Sequence, residues 1–453
     1  MRNLNKPSPK KFRKPALDPP RELAFSIFRS VIRDGEYSNL VLPRKLSQSN
    51  FEQRDRALVT ELVYGSLRQI GRNDFIASSF SKIPWQEVDD DIVDTVRFGA
   101  YQLFNTRIPA HAAVSTTVDL ARRNLGESKA SFVNAIMRRL SEKTLSEHLI
   151  EVSGDTSQEL AIRYSHPEWI VNSYCDLIPD KNELKELLEL NNQPVAPTLV
   201  AWPGRSTQSD LFTLGATPTL YSEYGGIYDG APGELAQIRE RLIGVQDEGS
   251  QLVATIFAKV AKESGSWLDL CAGPGGKAAL LSSISERNFF ANEISANRAN
   301  LVSQVVSNAT KVIVGDGRQI QQSLSSIELS QIGAVLADVP CTGLGALRRR
   351  PEVRWRRLPS DLTDLTKLQM ELAIAAINIL PSNGIFAYAT CSPHLSETSM
   401  QCAVLERNQE IEKIEVNPFL PENLMNATRN GYLQLWPQRH GTDAMFLALY
   451  RKR

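Results

Sequence analysis

Nowhere in its 453 positions does the chain hold a run of about eighteen apolar residues, so no segment is expected to span a membrane. Cysteine is scarce: Cys175, Cys271, Cys341, Cys391 and Cys402 are odd in number, widely spaced, and form no Cys-x-x-Cys pair. That excludes a disulfide framework and a zinc knuckle, and it suits a reducing compartment. Net charge is absent too, with 51 basic side chains against 51 acidic ones, so a polyanionic partner would have to be met by local charge. The opening stretch MRNLNKPSPKKFRKPALDPP is basic, but no apolar core follows it, and it is not read as a signal peptide. These absences together point to the cytoplasm.

What is present is an ordinary globular composition, 42% hydrophobic and 23% charged, on a chain long enough for two or three domains. Residues 1–19 read as a basic disordered arm, with six basic residues and no acid from Arg2 to Lys14. Such an arm is either simply solvated or laid on nucleic-acid phosphates, and salt-dependent binding would tell the two apart. Residues 20–143 have helical periodicity. PRELAFSIFRSVIRDG places Ala24, Ile27, Phe28, Val31 and Ile32 on one face, with Pro20 near its start and Gly35 at its end. RDRALVTELVYGSLRQ repeats the pattern with Leu58, Leu62, Val63 and Leu67, and DDDIVDTVRFGAYQLF places acids where a helix begins. An all-α bundle is expected there. Residues 144–243 read as a small α+β unit. From 244 to 453 the rhythm becomes strand, turn, helix, repeated, as in a parallel sheet covered on both faces, so the C-terminal domain is expected to be α/β and Rossmann-like.

Ligands of such sheets sit beyond the C-terminal ends of the strands. There the segment CAGPGGKA, Cys271 to Ala278, supplies Gly273, Gly275 and Gly276, where backbone can approach a ligand closely. It is neither G-x-x-x-x-G-K-[ST] nor G-x-G-x-x-G, which disfavours nucleoside triphosphates and dinucleotides. Glu293 ends the second strand, where a carboxylate can accept both hydroxyls of a ribose. Asp316 in VGDG is placed for an adenine amino group, and Asp338 ends the fourth strand. Each acid alone reads as a solvated loop residue or helix cap. Four consecutive strand ends carrying such groups describe a ribose and an adenine without a phosphate cradle, which fits S-adenosylmethionine.

FAYATCSPHLSET and VLADVPCTGLG put Cys391 and Cys341 at the ends of two adjacent strands, the second being the one that Asp338 ends, and a shared pocket is expected. A lone cysteine is usually a small buried hydrophobe, and Cys175, Cys402 and the Cys271 thiol take that reading. Two thiols beside a methyl donor suit the C5 carbon of cytosine, a poor nucleophile until a thiolate adds to C6. Spacing alone does not say which thiol attacks.

VQDEGSQLVA, DLCAGPGGK, ADVPCTGLGALRRRPEVRW, YATCS and QRHGTDAMFLA, in this order from Gln246 to Tyr450, resemble the RNA cytosine-5 methyltransferase family. The resemblance implies Cys391 as nucleophile and Cys341 as the residue that aids product release. It implies cofactor contacts from Cys271, Ala272, Gly273, Pro274, Gly275, Gly276, Lys277, Glu293, Asp316 and Asp338, with Arg298 as a lesser candidate. Lys277 and Asp338 would also touch the cytosine or the attacking thiol. Gly273 stands where the family commonly has alanine, and Ala278 where it has threonine; both are small, so little change in the pocket is expected. The helical portion resembles the NusB fold, an RNA-binding module, and RYSHPEWIV, Arg163 to Val171, matches the segment that follows it in one subfamily. That arrangement implies a cytidine in 16S ribosomal RNA not yet assembled into the subunit, no DNA, no membrane, and a monomer.

In ALRRRPEVRWRR six arginines surround Trp355, a pattern expected to contact phosphates and stack a base. His394 and His440 are expected to organise turns. Among other readings, an exocyclic-amine methyltransferase would need an Asn/Asp-Pro-Pro-aromatic loop, and Asp338-Val339-Pro340-Cys341 has only one of the two prolines and no aromatic. A DNA cytosine enzyme would attack with Cys341. A non-catalytic assembly factor, or an enzyme acting on another RNA such as tRNA, stays open as an alternative.

Overall fold

A computed structural model describes residues 17–453, so the basic arm lies almost wholly outside the described residues. The chain divides into two compact units, one reaching Glu168 and one beginning at Trp169.

The first unit is helical: α1 (Pro19–Arg33), α2 (Ser38–Ser47), α3 (Gln53–Arg68), α4 (Ile70–Ser78), α5 (Asp90–Asn105), α6 (Ala110–Leu125) and α7 (Glu127–Leu140). Two short helices, Leu145–His148 and Ser157–Arg163, follow. α1 begins where the Asp18 carboxylate accepts the Arg21 backbone N–H, with prolines in the first turn, and Gly35 at φ +73° turns the chain away after it. α5 is capped by Asp89, and Asp90 and Asp91 sit at the positive end of its dipole. Ala24, Ile27, Phe28, Val31, Leu62, Val63 and Leu67 are buried as the periodicity predicts. Ile32 and Leu58 are only half-buried, and on α3 Val59 takes the core position instead. α3 and α5 approach closely because position 65 has no side chain. A Cβ on Gly65 would lie 1.9 Å from the Tyr101 ring.

The second unit carries two sheets. The smaller is antiparallel, in the order β2 (Thr217–Pro218), β3 (Gly225–Ile227), β1 (Thr198–Ala201), β4 (Ile243–Val245). The larger follows with β5 (Ser266–Asp269), β6 (Phe289–Glu293), β7 (Lys311–Val314), β8 (Ile332–Asp338), β9 (Ile385–Thr390), β10 (Ile411–Ile414), β11 (Thr428–Arg429), β12 (Tyr432–Gln434) and β13 (Phe446–Lys452). Its order is β11-β12-β13-β9-β8-β5-β6-β7, with β10 also pairing with β13. The strands from β9 to β7 are mutually parallel, whereas β10 to β13 add antiparallel. The sheet is therefore mixed rather than parallel. Only β11 and β12 are joined by a tight hairpin turn; longer connections, two of them carrying the short helices Ser399–Leu405 and Pro437–His440, bring the other closing strands in antiparallel. Trp267 faces one apolar layer and Leu268 the other, and Ala334 and Val335 alternate in the same way. Both faces being covered, these strands read as continuous apolar runs. Among the described residues no helix is long and apolar enough to cross a membrane.

Candidate active site

From β5 the chain winds through β6 to β7 on one side, then returns to the other side of β5 for β8 and β9. That reversal opens a crevice at the C-terminal strand ends. Glu293 and Asp338 are the last residues of β6 and β8, Asp316 follows β7, and Cys391 follows β9.

On the β5–β7 side, the glycine-rich turn is pinned by Ala272 N–H to the Asn292 carbonyl at 2.9 Å and by Gly275 N–H to the Ala272 carbonyl at 2.8 Å. Gly275, at φ +117°, opens the helix Gly276–Ile284, and a Cβ there would meet Val305 at 2.7 Å. Glu293 accepts from Gly273 N–H at 3.1 Å and Ser295 N–H at 3.0 Å, with the Arg298 guanidinium 3.6 Å away. A Cβ on Gly273 would stand 2.2 Å from Glu293 Oε2. An alanine here would require the Glu293 carboxylate, which lies directly against the turn, to shift. Asp316 is forked by Arg318, with Nη2 at 2.6 Å, which holds its carboxyl below the usual range.

Two further residues on this side, Asn292 and Asp269, shape the site. The Asn292 amide donates to the Leu270 and Gly315 carbonyls at 3.0 and 3.1 Å, tying three strand ends together. Asp269, the last residue of β5, is buried; Oδ1 accepts the Cys271 N–H at 3.4 Å, while Oδ2 has no partner among the described residues. Burial, reinforced by Asp338, pushes its carboxyl up to about 7. An acid at the first strand's end beside the glycine turn was the available clue.

On the β8–β9 side, Cys341 and Cys391 bring their sulfurs to 3.4 Å. Their loops are clamped by Gly345 N–H to the Cys391 carbonyl and Ala444 N–H to the Gly345 carbonyl, both at 2.9 Å. A Cβ on Gly345 would lie 2.0 Å from the Ala444 oxygen. Lys277 donates to Asp338 at 2.8 Å. Burial alone would lower the Lys277 ammonium, but Asp338 outweighs it and the net movement is upward. The two thiols are driven apart. Cys391 is lowered, chiefly by the hydrogen bond from Cys341 and also by Lys277 and Arg350, against burial and Asp338. Cys341 is raised by the same hydrogen bond, by burial, and by the charges of Cys391 and Glu397. Cys402, enclosed in the core, is pushed up to about 12 by burial.

The arginine-rich loop departs from expectation. Arg348 and Arg349 both pair with Asp247 and Asp443, at 2.6 to 3.2 Å, in a cluster that is largely buried. Arg354 is fully buried on the Asn192 side chain and the Asn191 carbonyl, and Arg357 donates to the Cys341 carbonyl at 3.2 Å. Four of the six arginines thus brace the thiol loop, because acids and carbonyls distant in the chain take up their donors. His394 and His440 each accept a backbone N–H, from Ser396 and Trp436, and organise turns.

Residues 255–451 match the family described as 16S rRNA methyltransferase RsmB/F, and residues 18–142 match the NusB family. The chain is 39% identical over 454 residues to Rv1407 of Mycobacterium tuberculosis, a protein named a methyltransferase without a stated substrate, covering 97% of this chain and 98% of the other. Ribosomal RNA small subunit methyltransferase B of Pasteurella multocida is 28% identical, covering 95% and 96%. Among solved structures, PH0851 aligns with a TM-score of 0.77 at 19% identity, over 97% of this chain and all of that one. NSun6 from Pyrococcus horikoshii aligns with a TM-score of 0.51 at 18% identity, over 63% and 98%. At these identities the structural likeness bears on the fold alone.

Proposed function

The chain belongs to the RsmB/F family of methyltransferases, with a NusB-family domain ahead of the catalytic one, and from that premise we propose that it methylates C5 of a cytidine in 16S ribosomal RNA through a covalent adduct on Cys391. The observation that carries this reading is the thiol pair. Its sulfurs lie 3.4 Å apart and are shifted in opposite directions beside Lys277 and Asp338.

The crevice fits S-adenosylmethionine. It offers a turn that side chains would fill at Gly273 and Gly275, a carboxylate at each of three strand ends, and an orphaned Asp269 oxygen suited to a cationic group. Cys271 to Lys277, Glu293, Asp316 and Asp338 would hold it, and bound there it would supply the methyl group. The remaining work falls to the chain. A target base drawn out of its stack presents C6 to Cys391, whose thiolate is favoured by the Cys341 hydrogen bond and the Lys277 charge. The sulfur–C6 bond forms as the C5–C6 electron pair shifts onto C5, making it nucleophilic. Asp338, held by Lys277 at 2.8 Å, would accept a hydrogen bond from the cytosine amino group. After a base removes the C5 proton, the sulfur–C6 bond breaks, and Cys341, which keeps its own proton, donates it to the departing sulfur.

The helical domain serves in this reading as the RNA-binding part, residues 244–453 as the catalytic part, and the substrate is RNA outside the assembled subunit. With Cys341→Ala and substrate RNA, a covalent complex is expected to survive denaturing electrophoresis, because attack proceeds while release fails. Cys391→Ala should give neither complex nor product. The reverse pattern overturns the assignment of roles, and bisulfite mapping of ribosomal RNA with and without the gene locates the nucleotide.

A further inference from the structure

Glu397 lies in the turn after Cys391, is fully buried, and reaches across to the other thiol loop. Its Oε1 accepts the Thr342 backbone N–H at 2.8 Å and the Gln369 amide at 3.0 Å, while Oε2 pairs with the Thr342 hydroxyl. That hydroxyl is 3.0 Å from the hydroxyl of Ser392. Gln369 also donates to the Pro340 carbonyl at 2.9 Å, and the Tyr388 hydroxyl donates to Glu397's own backbone carbonyl at 2.8 Å. The neighbours of both thiols, Pro340 and Thr342 on one loop and Ser392 on the other, therefore converge on one side chain.

Every side-chain contact of Glu397 asks it to accept, which a carboxylate does fully and an amide does only in part. Fully buried, that carboxylate is satisfied by the donors of Thr342 and Gln369. Lys277 and Arg350 favour the Cys391 thiolate and Asp338 opposes it, whereas Glu397 favours the protonated form of Cys341.

We infer that Glu397 is the positioning residue of the thiol pair: it fixes the two loops so that the sulfurs meet. The inference rests on reading Cys341 and Cys391 as partners in one site. Its test needs neither RNA nor turnover, so its failure is distinguishable from failure of the methyltransferase reading.

Iodoacetamide alkylation of the full chain, followed by mass spectrometry of each cysteine from about pH 6 to pH 10, reads the two thiols separately. In the native chain Cys391 is expected to react from a lower pH than Cys341. In Glu397→Gln the Cys341 midpoint should fall by about one pH unit while that of Cys391 rises, so that the two converge. Thr342→Val removes one hydroxyl and keeps the charge. It should raise the Cys391 midpoint and lower that of Cys341 less than Glu397→Gln does, and Thr342→Ser should restore native behaviour. A folded Glu397→Gln chain with both midpoints unmoved, even if it alkylates more slowly, overturns the inference. Should that variant fail to fold, an unmoved Cys391 in Thr342→Val overturns it.

Discussion

At Cys391, burial and Asp338 favour the thiol, while the Cys341 hydrogen bond, Lys277 and Arg350 favour the thiolate. Lys277→Met removes one of the three forces on the thiolate side. The acidic limb of the pH–rate profile should then move up by about one unit, and an unmoved limb would confine Lys277 to cofactor binding. Cys391→Ser should abolish methylation, because an alcohol is not ionised at any pH the protein survives. Asp269 gives a stability prediction with a definite sign. Its folded carboxyl, at about 7, binds a proton more tightly than the ordinary 3.8 of the unfolded chain. Its contribution is therefore complete below about pH 4 and lost as pH rises through 7, on the order of 4 kcal/mol at most. Without cofactor, the melting temperature should drop between pH 5 and pH 8, and Asp269→Asn should flatten that drop.

Among the elements, the loop after β8 depends on two devices, the Gly345 backbone clamp and the four-charge cluster of Arg348, Arg349, Asp247 and Asp443. Asp443→Asn leaves two buried guanidinium groups undercompensated, and a loss of about 3 kcal/mol is expected from urea unfolding. Gly345→Ala must push Ala444 away and part the two loops, so methylation should fall at least about tenfold even where the melting temperature changes little. The strands, the glycine turn and the strand-end acids were legible because each is a local pattern of a few residues. The arginine loop was not. Its composition resembles an RNA-contacting surface until Asp247 and Asp443, each about a hundred residues away in the chain, take the charges inward. Glu397 was hidden for the same reason, since its meaning lies in Thr342, 55 residues earlier. Asp269 stood in a quoted segment, yet nothing local says that an acid at a strand end is sealed from water.

For the whole molecule, balanced net charge leaves the basic stretch from Arg2 to Lys14 as a concentrated cationic segment. Removing residues 1–14 should weaken RNA binding mainly at low salt, with the difference shrinking as salt rises; equal affinities at low salt would make the segment irrelevant. The catalytic unit has its own apolar layers on both faces of the large sheet. A chain of residues 169–453 should accordingly bind S-adenosylmethionine as the full chain does, by calorimetry, while methylating RNA poorly. The succession of helical and α/β regions was readable from periodicity, whereas the break at Glu168 was not, because the helix Glu168–Cys175 begins there without a change in composition.

Sulfur atoms held 3.4 Å apart have the bite of a bidentate ligand for soft trivalent arsenic. An arylarsenoxide resin should retain the native polypeptide, release it to ethanedithiol, and ignore either single-cysteine mutant, offering a purification handle and a reversible inhibitor from the same pair of atoms.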